Sequence, residues 1–61
     1  MSQMTSKELL YIEDALAHEQ FMQQKCREAA SKIKDPELRS FVEGMASAHQ
    51  KTFGTLFQLL K

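Results

Sequence analysis

Ile33-Lys34-Asp35-Pro36-Glu37-Leu38 holds the only proline of a 61-residue chain and lies just past its middle. Proline cannot extend a helix that arrives from its N-terminal side, and its ring keeps the preceding residue, here Asp35, in extended backbone. The incoming helix is therefore expected to stop near Lys34. The same residues open a second helix. Asp35 suits the N-cap, Pro36 fits the first helical position, where no N–H is needed, and Glu37 puts negative charge in the first turn. The chain is predicted to be all-α and to double back as a long antiparallel helical hairpin. Its helices should cover about 6–34 and 36–60, with the turn near 34–35. Residues 1–4 read as a frayed N-terminal tail and residues 5–61 as a single domain.

Upstream, Thr5-Ser6-Lys7-Glu8 matches the capping box, with Met4 and Leu9 placed for the accompanying hydrophobic staple. Leu9, Ile12, Leu16, Cys26, Ala30 and Ile33 then fall on one heptad stripe, broken by Glu19 and Gln23 where two more apolar residues are expected. Tyr11, Ala15, His18, Met22, Ala29 and Ile33 form a neighbouring stripe. In the second helix Leu38, Val42, Met45, Thr52, Leu56 and Leu59 read as the seam, with His49 in its middle, and Phe41, Phe53 and Phe57 widen it.

Helices of about 25 residues are roughly 38 Å long, the length of four-helix-bundle rods. A lone hairpin lets each rod cover only one side of the other, and 43% hydrophobic residues is more than one seam can hide. A homodimer that closes a four-helix bundle about a two-fold axis is the expected assembly. Leu9, Ile12, Leu16, Cys26, Ile33, Leu38, Val42, Met45, Phe53 and Leu56 are its expected core and dimer residues.

Eight basic and eight acidic residues give a formal charge of zero. That balance removes the electrostatic case for nucleic acid or an anionic membrane as partner. No apolar run approaches the roughly 20 residues of a membrane span, and no signal-peptide core is visible, so a cytoplasmic protein is expected. The lone Cys26 can form neither an intramolecular disulfide nor a paired-cysteine metal site, and reads as a buried thiol. Catalytic constellations are missing: there is no glycine-rich phosphate loop, no nucleophile elbow, and no histidine level with Cys26. Glu13-Asp14 and the lysines at 25, 32, 34 and 51 read as solvated surface. Gly44 and Gly54 each cost the second helix about 1 kcal/mol relative to alanine. Ser40, Gly44 and Ala48, spaced by four, form a smooth strip that a neighbouring helix backbone could approach; Gly54 has no such reading.

Counting outward from the turn sets Glu19 level with His49, with Gln23 one turn nearer the loop. Both apolar stripes thus break at one height, and Glu19, Gln23 and His49 form a central polar layer. Its plainer reading is a glutamate accepting a hydrogen bond from a histidine ring, a pair that fixes register and partner number. The alternative is a metal site shared between chains, with Glu19 and His49 holding iron or another divalent metal. A complete dimetal centre would require a glutamate three residues before the histidine, where Ala46 stands. His18 reads as a boundary residue beside this layer.

Lys7-Glu8-Leu9-Leu10-Tyr11-Ile12-Glu13-Asp14, Asp35-Pro36-Glu37-Leu38-Arg39 at the turn, and Ala48-His49-Gln50 followed by Phe53, Leu56 and Phe57 resemble the spore coat protein F-like family. The resemblance covers nearly the whole chain and implies a ferritin-like helical bundle. It also implies a small non-enzymatic structural or interaction protein of the spore, with other coat proteins as its partners. Members of that family often carry an acidic residue where this chain has Ala48. A minimal or degenerate ferritin-like metal binder is the competing expectation.

Overall fold

The computed structural model describes residues 4–61, and the tail expected over residues 1–4 lies, apart from Met4, outside the described residues. Two helices make up the described chain: α1, Ser6–Lys32, and α2, Pro36–Gln58. They pack against each other as a hairpin measuring 46 × 16 × 11 Å. No strand occurs among the described residues.

Local chemistry accounts for both helix starts. Thr5 Oγ1 accepts from the Glu8 N–H at 3.0 Å while Glu8 Oε1 accepts from the Thr5 N–H at 2.9 Å, so two otherwise orphaned donors are satisfied reciprocally. Asp35 Oδ1 accepts from the Leu38 N–H at 2.7 Å, and Pro36 occupies the first turn of α2.

The ends differ from expectation by about two residues. α1 stops at Lys32 rather than Lys34, because a reversal of direction needs non-helical backbone, and Ile33 (φ −91°, ψ 126°) and Asp35 (φ −65°, ψ 120°) supply it. α2 stops at Gln58 rather than near 60, since Leu59, Leu60 and Lys61 donate to carbonyls three residues back and tighten the last turn.

The half-buried and buried positions define the seam. From α1 and its C-cap they are Ile12, Ala15, Leu16, Glu19, Met22, Gln23, Cys26, Ala30 and Ile33; from α2 and the turn that follows it they are Val42, Ala46, His49, Phe53, Leu56 and Leu60. Ala15 and Met22 widen the α1 side; the other positions of both series step alternately by four and three, the signature of coiled-coil packing. Among the described residues only Cys26, Ala30 and Ala46 are fully buried, and all three are small.

Within the single hairpin the seam differs from the expected α2 stripe. Leu38 (52% exposed), Met45 (39%) and Leu59 (43%) face outward, as does Thr52, while Ala46 and Leu60 join the expected Phe53 in turning inward. The expected and observed stripes share Val42, His49 and Leu56 and differ by one residue at each intervening turn. α2 is rotated toward the series with Ala46, which permits close approach, and Phe53, whose ring buries more apolar area than Thr52. Leu9 is also 39% exposed. Leu9 lies in the first turn of α1, level with the tightened turn of Leu59 and Leu60 that follows α2, where the hairpin ends and coverage is partial. The strip Ser40, Gly44, Ala48 lies on the surface, and a Cβ placed on Gly44 would meet nothing within 4 Å. No close approach within the hairpin explains this glycine.

Candidate functional site

Glu19 stands thirteen residues before the end of α1, and His49 thirteen residues after the start of α2. Equal distance from the loop, about 20 Å at helical rise, brings the two seam positions opposite each other. His49 Nδ1 lies 2.6 Å from Glu19 Oε1, within charge-assisted hydrogen-bond range, and the ring donates to the carboxylate. The side chains are 26% and 16% exposed, so water reaches the pair but does not surround it. Gln23, one turn nearer the loop, is half-buried beside it and makes no side-chain hydrogen bond among the described residues. Cys26, a further turn along, is a free, buried thiol at 5% exposure.

The residues that flank the seam divide the hairpin into two unlike edges. On one edge lie Glu13, Gln20 and Arg27 of α1 and Glu43, Gln50 and Phe57 of α2. Arg27 Nη2 donates to Gln50 Oε1 at 3.1 Å, which shows that these flanks adjoin across the seam. The opposite flanks therefore adjoin on the other side. There α1 presents Tyr11, Ala15, His18, Met22 and Ala29, and α2 presents Leu38, Phe41, Met45, Ala48, Thr52 and Leu59. Five of these are large and exposed: Tyr11 at 60%, Leu38, Phe41 at 68%, Met45 and Leu59. Thr52 fits an apolar face because its hydroxyl donates to the Ala48 carbonyl at 3.1 Å, which leaves its methyl outward-facing and its polar atom satisfied.

Elsewhere, the exposed rings of Phe21 and Phe57 have partners close by in the chain. Lys25 Nζ lies 5.4 Å from the Phe21 ring centroid, and Phe57 stacks on Phe53 at 6.3 Å with Lys61 Nζ 5.8 Å away. Their packing is local, and they do not extend the open face.

A dimetal centre bridged by carboxylates does not fit. Position 46, three residues before His49, is an alanine with 0% exposure, wedged in the seam. No cluster of three or more His, Cys, Asp or Glu with metal-binding geometry occurs among the described residues. Glu13 and Asp14 are exposed and lie away from the layer. No described helix is long and apolar enough to cross a membrane.

The roles of Ala46 as a fully buried seam residue and of Arg27 and Gln50 as an edge marker were missed in the sequence. The alternation of four and three through Val42, Ala46, His49, Phe53, Leu56 and Leu60 is the signal for the first; two long polar side chains give none for the second. The geometry defines an all-α helical hairpin with a central carboxylate–imidazole pair and one apolar face. No family model, curated protein or solved structure matches the chain.

Proposed function

We propose that this chain is a non-enzymatic structural module in which two hairpins pair through the open face to form a four-helix bundle. The observation that carries this is the one-sided apolar surface: Tyr11, Leu38, Phe41, Met45 and Leu59 are exposed together on a single face, whereas the fully buried positions among the described residues are only Cys26, Ala30 and Ala46. A second copy supplies the same face and closes the core with one repeated contact.

The resemblance to the spore coat protein F-like family supports placing this module in the spore coat, with other coat proteins docking on the outside of the bundle. Sedimentation equilibrium at micromolar concentration should find two chains per particle; a stable folded monomer would overturn the assembly. Immunoblots of purified spores and of growing cells test the placement, and equal amounts in growing cells with none in spores would remove it.

A second reading, a minimal ferritin-like binder of iron or another divalent metal, is favoured by the Glu19–His49 pair. With Ala46 in the seam, only a single-ion site shared between chains remains open to it.

A further inference from the structure

The mid-height pair has a chemistry that a single hairpin cannot complete. When a neutral imidazole donates its Nδ1–H to a carboxylate, its lone pair is left on Nε2, the arrangement by which proteins orient a metal-ligating histidine. His49 meets the first condition through Glu19 at 2.6 Å, and its Nε2 has no hydrogen bond among the described residues. Glu19 is accordingly spent in orienting the ring.

Position supplies the rest. The pair sits about 20 Å from the loop of a 46 Å rod, near its midpoint. Within the seam, Glu19 and His49 belong to the series that borders the open face, whereas Gln23 and Ala46 border the edge marked by Arg27 and Gln50. Two hairpins packed by their open faces can be related by a two-fold axis along the rods or across them. The first puts both layers at one height and brings the two His49 rings toward the bundle centre, the arrangement that the site requires. The only other histidine, His18, precedes Glu19 in sequence and lies exposed on the same face.

Resting on the two-chain bundle proposed above, we infer that one divalent transition-metal ion of the imidazole-preferring class, such as Zn2+, binds between the His49 Nε2 atoms of the two copies. Glu19 acts as a positioning residue, and the His18 rings and water fill the remaining coordination positions. Mg2+ and Ca2+ are excluded by the shortage of free oxygen ligands.

The experiment uses the full chain, stripped with EDTA and dialysed. Sedimentation equilibrium is run first without metal, then ZnCl2 is titrated by calorimetry with melting temperature followed in parallel. The expected result is one Zn2+ per two chains and a melting temperature that rises with Zn2+. Glu19→Gln should weaken binding about 10–100-fold in a protein that still pairs. His49→Gln, whose amide can still donate to Glu19, should abolish binding, and His18→Gln should weaken it less. A chain that pairs only once Zn2+ is added, at the same stoichiometry, also supports the site. A dimer that takes up no Zn2+, that binds one ion per chain, or that binds equally well as His49→Gln overturns the site and leaves the bundle standing. A monomer at every Zn2+ concentration overturns both.

Discussion

The two edges of this hairpin have the same backbone and the same solvent, yet opposite chemistry. Along one, Glu13, Gln20, Arg27, Glu43 and Gln50 are polar, Phe57 is the exception, and Arg27 reaches across to Gln50. Along the other, Tyr11, Leu38, Phe41, Met45 and Leu59 are exposed together. Scattered surface apolar residues such as Leu10 and Phe21 are ordinary, but five on one face are not. The seam between the edges is thin, with three small residues fully buried, so the hairpin alone has little core. The difference between the edges teaches where the missing core lies: on the apolar side, in a second copy.

Placing charge on that side should produce the largest effect. Phe41→Asp with Met45→Glu sets two carboxylates per chain inside the proposed interface, where each loses hydration without gaining a partner. The dissociation constant is expected to rise by at least about 100-fold, or ~3 kcal/mol, measured by sedimentation equilibrium. Unchanged pairing would mean that the open face is not the interface. The next largest effect tests the seam itself. Ala46→Leu forces a branched side chain into a position with 0% exposure and should cost about 1–3 kcal/mol in chemical denaturation. If Met45 rather than Ala46 were the seam residue, that substitution would be harmless.

The central pair comes third. His49→Ala leaves the Glu19 carboxylate without its donor and should cost about 1–3 kcal/mol, toward the lower end because water reaches the layer. Replacing Glu19 and His49 together by leucine should recover that loss or exceed it, while loosening the choice of partner number. A double variant less stable than His49→Ala would show that the pair contributes more than mutual satisfaction. Chemical denaturation of the singles and the double, as one cycle, measures this directly.

Much of the fold was legible because its signals are local. Thr5 with Glu8, and Asp35 with Pro36, declare helix starts within four residues, and counting from that turn sets Glu19 opposite His49. The rotation of α2 was not legible. Val42, His49 and Leu56 belong to both candidate stripes, and the choice between Met45, Thr52, Leu59 and Ala46, Phe53, Leu60 depends on how closely α1 can approach. That is a property of Cys26 and Ala30 on the other helix, and no pattern within α2 encodes it. Leu9 read as seam because periodicity says nothing about how fully the end of the partner helix covers a residue at its height.

The glycines give a smaller effect that sharpens the same comparison. A Cβ on Gly44 or Gly54 would meet nothing within 4 Å in the hairpin, so alanine at either should gain about 1 kcal/mol of helix stability, read as a shift in denaturation midpoint. Gly54 sits away from the open face and should give that gain whether or not chains pair. Gly44 shares a smooth strip with Ala48 at the margin of the open face. If the partner backbone approaches there, Gly44→Ala should stabilise the isolated hairpin but weaken pairing. A full gain at both positions would place the partner no nearer than Ala48.

The smallest effect belongs to the polar edge. Arg27→Ala removes one exposed hydrogen bond of 3.1 Å between two long, solvated side chains. Ordering both side chains offsets most of what the bond contributes, so the loss in denaturation free energy should stay below about 0.5 kcal/mol, with no change in sedimentation. The small value carries weight because Arg27 is level with the tightly packed Cys26 and Ala30. Were this edge buried against a second chain, removing a cation from it would cost several times more and alter pairing. A loss above about 1.5 kcal/mol would therefore move the interface to the Arg27 side and leave the five exposed apolar residues opposite without an occupant.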